Sequence, residues 1–360
     1  MEAWAPPDIA WERDNVGLQT GDPAARVRGI LVALDVTEEI VAEAERRGAN
    51  LIVSHHPLLF RPLRSVTTGT VRERCLGALL RKGVALYSAH TNLDFTKGGT
   101  SFALARALGV VPEGFLKSPY RLENKIVTYV PRSHAESVAG AMAAAGAGVI
   151  GRYDSCSFRT EGEGTFRGGA GSRPAIGRRG VLERVQEVRL EMVAPRRALG
   201  RVVRAMKEAH PYEEVAHDIY ALENSSGDYG MGAVGTLRRT VPLRKFLETV
   251  RHALKTPAIR WSGDPGTPVQ RVALCGGSGS ELLSDAIESG AGVFVTADVR
   301  YHSFHEAEGR IALVDAGHFE TEIPVVAAIV EHLRRETLRD GTRIPVRAAA
   351  RSTNPVRWSM

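Results

Sequence analysis

Apolar runs alternating with helix-periodic polar segments organise the first hundred residues. Val27 to Leu34 is an apolar run ending at Asp35, and Thr37 to Arg47 then carries Ile40, Val41 and Ala44 at helical spacing, so a strand followed by a helix is predicted. Glu38 and Glu39 in the first turn, Arg46 and Arg47 in the last, and Gly48 beyond them suit the helix dipole and a left-handed cap. Leu51 to Ser54 reads as a second strand. A helix from Val71 to Lys82 leads into a third strand, Val84 to Ala89, which runs out into His90-Thr91-Asn92-Leu93-Asp94. This β-α-β-α-β order predicts parallel pairing.

The same grammar returns after residue 268: a strand from Arg271 to Cys275, the turn Gly276-Gly277-Ser278-Gly279, a helix from Glu281 to Ser289, and strands at Gly292 to Ala297 and Ile311 to Ala316. Two similar β-α-β halves of a three-layer α/β/α core are therefore expected to face one cleft, with polar residues at the carboxyl ends of the strands. Residues 124–225 read differently. A strand (Lys125 to Val130), a helix of small residues through Ala145, a Gly/Ser/Arg loop (Arg159 to Gly180), a strand (Glu187 to Val193), a helix (Arg197 to Ala209) and a strand (Val215 to Leu222) suggest a ferredoxin-like α+β domain inserted into the larger one. The expected division is an α/β core of residues 1–123 and 226–360 around an insertion of residues 124–225.

Composition narrows the class. With 43% hydrophobic and 24% charged residues the chain reads as an ordinary globular protein. No window holds the ~18 apolar residues of a membrane span, and the N-terminus MEAWAPPDIAWERD lacks the basic-then-apolar pattern of a secretory signal. A cytoplasmic location is expected. Cys75, Cys156 and Cys275 are widely separated, which indicates reduced thiols, with neither a disulfide framework nor a thiolate metal site. The formal charge of +6 comes with scattered arginine pairs rather than a basic stripe, so a nucleic-acid partner is disfavoured while an anionic small molecule is favoured.

Three short segments carry the candidate chemistry. Ser54-His55-His56-Pro57 follows a buried strand; two adjacent histidines share a site only where the strand ends and the backbone turns, and otherwise read as one core and one exposed residue. In Gly317-His318-Phe319-Glu320-Thr321-Glu322, His318 and Glu322 are four apart and fall on one helix face, although acids at a helix start also complement its dipole. Asp94 follows another buried strand, where it is a ligand or a cap. Together His55, His56, Asp94, His318 and Glu322 make five nitrogen and oxygen ligands without thiolate, more than one ion needs and adequate for two divalent ions about 3.5–4 Å apart. Zinc, iron and manganese are all admissible. Asp298, His302 and His305 lie beyond a further strand end, with His302 the candidate for proton transfer, against the alternative that these side chains only hydrogen-bond and orient the ligands. Gly276-Gly277-Ser278-Gly279 reads as a phosphate loop or as a tight turn.

VSHHPLLF, HTNLD, GMGAVG, TADVRYH and DAGHFETE, flanked by Asp14-Asn15-Val16-Gly17 and Thr353-Asn354-Pro355, resemble the motifs of the dinuclear-metal proteins known as GTP cyclohydrolase 1 type 2 homologues, or Nif-three-like proteins. The resemblance covers most of the chain. It implies the same five ligands, with Glu322 as the bridge between two ions, and a PII-like or CutA-like insertion around His210-Pro211-Tyr212-Glu213-Glu214. It also implies a toroidal homohexamer. Taken literally, the family label implies hydrolytic opening of the guanine imidazole ring of GTP, with His302 handling protons. The competing reading is a non-catalytic, metal-binding regulatory assembly that senses a small molecule through the insertion or binds a protein partner.

Overall fold

The computed structural model describes residues 1–118, 122–224 and 227–359. It divides into two compact units, one formed by Met1–Ser118 with Gly227–Met360, the other by Pro119–Ser226.

The first unit contains two sheets. In one, the strands Val346–Ala348, Ile30–Ala33, Leu51–Ser54 and Ala85–Ser88 run parallel, and Gly17–Thr20 closes the edge antiparallel. In the other, Pro268–Ser278, Val293–Ala297 and Ala312–Asp315 are parallel, flanked by the antiparallel strands Arg260–Ser262, Ala233–Pro242 and Val110–Gly114. Parallel strands need crossovers and are covered on both faces, so their residues are apolar in succession rather than alternately. Ile30–Ala33 shows this directly. Leu31 and Ala33 pack with Ile40, Val41 and Leu79 from the helices Glu38–Arg46 and Val71–Lys82. Ile30 and Val32 point the other way, onto Ala103, Val325 and Ile329 from the helices Thr100–Ala107 and Pro324–Arg339. The second sheet repeats the device, with Phe294 and Leu313 in one core and Val293, Val295 and Val314 in the opposite one.

Local signals set the helix ends. Thr70 and Glu73 form a reciprocal capping box, and Gly83 closes that helix in the left-handed region at φ 60°. The amphipathic helix Leu243–Leu254 buries Leu243, Phe246, Leu247, Val250 and Leu254 in the second sheet's core.

The second unit is a four-stranded antiparallel sheet with element order β-α-β-β-α-β. The stretch expected as a loop from Arg159 to Gly180 instead begins with the strand Phe158–Arg167, which pairs with Leu182–Pro195 over ten residues. Nearly all of that strand is exposed, so no apolar alternation marks it; backbone pairing and cross-strand ion pairs such as Arg184 with Glu163 hold it. Among the described residues no helix is long and apolar enough to cross a membrane.

The chain leaves and re-enters the first unit through adjacent backbone. Leu116 and Lys117 N–H donate to the Met231 carbonyl (3.1 and 3.0 Å), and Met231 N–H donates to the Lys117 carbonyl (2.7 Å). Joining Ser118 to Gly227 through a short glycine-serine linker is therefore expected to leave the first unit folded. Soluble expression with a single cooperative thermal transition checks this; an insoluble or molten product would show that residues 119–226 are needed for its folding.

Candidate metal centre

Four imidazoles and two carboxylates converge in the first unit at the carboxyl ends of strands from both sheets. His55 and His56 continue the strand Leu51–Ser54. Their N–H groups still donate to Ala33 and Leu34 carbonyls (3.2 and 2.9 Å), and the Ser54 hydroxyl donates back to the His56 carbonyl (2.8 Å). The backbone thereby folds over on itself, so both rings lie on one side with centroids 5.0 Å apart. The first sheet also contributes His90, at the cap of the short helix Thr91–Asp94, and Asp94, whose N–H donates to the His90 carbonyl (3.0 Å). Gly99 permits that turn, since a Cβ there would collide with the Leu93 carbonyl. From the second half come His318 and Glu322, at the two ends of the helix His318–Glu322.

Each imidazole is clamped through Nδ1. The donor of His55 goes to the Ala89 carbonyl (2.8 Å), that of His56 to Asp35 (2.7 Å), that of His90 to Asp14 (2.9 Å) and that of His318 to Asp298 (2.6 Å). Carbonyl and carboxylate oxygens only accept, so Nδ1 carries the hydrogen and the neutral ring offers Nε2 to the cluster, the arrangement typical of metal-binding histidine. The clamps are themselves held. Asp14 also accepts the Thr91 N–H (3.0 Å), Asp35 accepts the Thr353 hydroxyl (2.6 Å), and Glu320 accepts from Asn354 (2.9 Å) beside them.

The inward atoms lie at coordination distances from one another. Glu322 Oε2 is 2.9 Å from His56 Nε2, and Glu322 Oε1 is 3.2 Å from His318 Nε2 and 3.8 Å from His55 Nε2; His55 Nε2 is 3.5 Å from Asp94 Oδ1. Yet the buried His55 Nε2, Asp94 Oδ1 and Glu322 Oε2 make no hydrogen bond among the described residues. Leaving such atoms unpaired costs about 1–3 kcal/mol each. Two ligands each about 2.1 Å from one ion, at near-tetrahedral or octahedral angles, stand about 3–3.5 Å apart, so these separations suit donors aimed at a common cation. Among the described residues, two groups close tightly enough to hold an ion: His55, His56 and His90, and His56, His318 and Glu322, with donor atoms in each within 4.8 Å.

The electrostatics agree. Burial alone would raise the Glu322 carboxyl, but contacts with His318, His55 and His56 outweigh it and hold it well below the usual carboxylate range. Burial likewise opposes charge on His56, yet Asp35 and Glu322 lift it to about 10, and Glu322, against the effect of burial, lifts His318 to about 9. A pocket that stabilises this much positive charge suits a cation able to displace ring protons.

The structure thus brings His55, His56, Asp94, His318 and Glu322 together. His302 is exposed in the helix Tyr301–Ala307, its ring against Tyr301, and makes no hydrogen bond or ion pair with these five among the described residues. His90 and the clamps Asp14 and Asp35 were not singled out by the sequence reading, although all but Asp35 lie in its quoted motifs. Nothing in a strand-end pattern distinguishes a clamp from a solvated acid. The Gly276–Gly279 turn is no phosphate cradle. Gly276 and Gly277 N–H already donate to the Ser101 and Thr321 hydroxyls (3.2 and 3.0 Å), and Gly277, at φ 66°, leaves room for the Glu322 carboxylate that a Cβ would strike.

A family model described as Duf34/NIF3 (NGG1p interacting factor 3) matches residues 1–355. A Halalkalibacterium halodurans protein named GTP cyclohydrolase 1 type 2 homolog is 40% identical over 322 residues, covering 88% of this chain and 86% of its own length. A Mycobacterium bovis protein of the same name is 40% identical over 361 residues, covering 99% and 93%. The crystal structure of a Bacillus cereus protein related to NIF3 superposes with a TM-score of 0.80 at 38% identity, covering 99% of this chain and 96% of that one.

Asp298 offers a test of the clamps, because it is half-exposed and adopts a left-handed φ of 54° that asparagine tolerates. Asp298→Asn is expected to lower metal affinity about 10–100-fold with the fold intact. Competition with a chelator, alongside near-ultraviolet circular dichroism, measures both; unchanged affinity would remove Asp298 from any role in holding His318 as a ligand.

Proposed function

This chain belongs to the Duf34/NIF3 family, and on that premise we propose that it is a dinuclear metal-dependent hydrolase acting on a nucleotide-like substrate. The observation that carries the reading is Glu322: one buried carboxylate whose Oε2 reaches His56 and whose Oε1 reaches both His318 and His55, with Asp94 against His55. In this reading His55 and Asp94 would hold one ion, His56 and His318 the other, and Glu322 would be shared between them. Two such ions, once bound, supply Lewis acidity and lower the pKa of water toward neutrality. The chain's residues do the rest. Asp35 and Asp298 fix the ring orientation of His56 and His318. We assign proton transfer to His302. The relatives' name, GTP cyclohydrolase 1 type 2 homolog, makes GTP the first substrate to test. The inserted unit is read as PII-like or CutA-like and the assembly as a homohexamer, both on family resemblance; light scattering decides the latter.

Two measurements test the bridge and the chemistry. Metal content per chain should fall at both positions in Glu322→Gln, whereas Asp94→Asn should chiefly empty one and leave the second measurable. Full double occupancy in Glu322→Gln would end the bridging assignment. With the wild-type protein loaded with zinc, iron or manganese, turnover of a nucleotide panel should be lost in His318→Ala and lowered in His302→Ala, the latter with its ions retained. If metal stays bound while no nucleotide is turned over, the regulatory reading replaces the hydrolytic one.

A further inference from the structure

The second unit carries an open cavity of about 470 Å³, within the ~300–1,000 Å³ of small-molecule sites. Its walls are the rings of Tyr129, Phe166 and Tyr212, with Phe166 and Tyr212 centroids 5.8 Å apart. Its polar lining is one-signed: four glutamates face it, and no lysine, arginine or histidine among the described residues does. The four are not equivalent. Glu163 is paired with Arg184 (2.6 Å), and Glu213 accepts only the Arg173 backbone N–H (2.7 Å). Glu187 accepts the Tyr212 hydroxyl (2.8 Å), and Glu214 has no ion pair among the described residues. Three carboxylates are thus left without a counter-charge. Glu187 is seated deliberately: its carboxylate lies against Gly164, where any Cβ would collide with it. Burial, with Glu187 adding to it, pushes the Tyr212 phenol well above its ordinary value, so the hydroxyl remains a donor to Glu187.

The charge pattern excludes anions such as nucleotides, which would meet carboxylates and no cation. A single metal ion fits poorly as well. Hard cations gather oxygens around one point at about 2.0–2.6 Å, yet the only groups of three or more donors within 4.8 Å among the described residues are those of the first unit. Carboxylates spread around aromatic walls suit separated positive charges joined by a hydrocarbon chain, since ammonium groups pair with carboxylates and lie on ring faces while methylenes pack on the rings. We propose that this cavity binds a linear aliphatic di- or polyamine, its ammonium groups on Glu187, Glu213 and Glu214 and its methylenes along Tyr129, Phe166 and Tyr212. The site is lined by residues of the second unit alone.

Calorimetric titration of the full-length protein with spermidine and with 1,4-diaminobutane tests this, with metal content followed in parallel. Saturable binding with Kd below about 1 mM is expected, weakened about tenfold or more in Glu187→Gln and in Glu214→Gln. Tyr212→Phe, which keeps the ring and removes the donor that orients Glu187, should weaken it as well, and Glu248→Gln on an exposed helix face of the first unit should not. Glu214 is exposed, so its variant remains informative even where Glu187→Gln fails to fold. Four results would each overturn the proposal: no saturation up to about 10 mM amine, equal loss in Glu248→Gln, full affinity in folded Glu187→Gln and Glu214→Gln, or magnesium ions displacing the amine at equal concentration.

Discussion

A carboxylate with almost no access to water, surrounded by ring nitrogens that do not hydrogen-bond it well, is the constraint around which the first unit is arranged. Glu322 is only 4% exposed, and with His55 and Asp94 it contributes buried polar atoms left without a hydrogen bond among the described residues. A folded domain is stable by roughly 5–15 kcal/mol, so several unpaired atoms at about 1–3 kcal/mol each are tolerated only where the surroundings hold them in place. The surroundings here are two sheets, each apolar on both faces, whose strand ends deliver the six side chains from rigid backbone.

Rigidity at the strand ends would be insufficient without the clamps. A histidine side chain has two torsions that swing Nε2 through several ångströms, and in each of the four rings an acceptor at Nδ1 restrains them. Three of the acceptors are aspartates, which also supply negative charge just outside the cluster. Asp315 extends the scheme one step further: it accepts the Val299 and Gly317 N–H groups (3.1 and 3.2 Å) and pairs with Arg260, so the loop bearing Asp298 and the turn bearing His318 are tied to one side chain. Charge, orientation and backbone conformation are therefore set by the same few acids.

This explains what was legible in the sequence. The parallel strands were, because burial on both faces makes them uninterrupted apolar runs, as in Val27 to Leu34. So was the His318 to Glu322 spacing, because helical periodicity is local. The strand Phe158–Arg167 was not, since a strand exposed on both faces carries no apolar alternation and its glycines read as a loop. The helix Leu243–Leu254 is not among the predicted elements, although its apolar residues recur at helical spacing. Long-range clamps are illegible for a deeper reason: Asp14 meets His90 across 76 positions and Thr353 meets Asp35 across 318, and no periodicity links residues joined only by the fold.

The glycines show the same limit from the other direction. Gly277 reads in sequence as one of four small residues before a helix, a pattern shared by phosphate loops. In the structure its lack of a side chain serves an acid rather than an anion: the space a Cβ would fill holds the carboxylate of Glu322, and the N–H that a phosphate would need is spent on Thr321, one residue before that acid. A phosphate loop and a carboxylate cradle thus call for the same residue for opposite electrostatic reasons, and only the identity of the neighbour 45 positions away, Glu322 against Gly277, separates them. The turn that looks built to attract negative charge from outside is built to accommodate a negative charge already there, and it is that charge which makes the cluster attractive to cations.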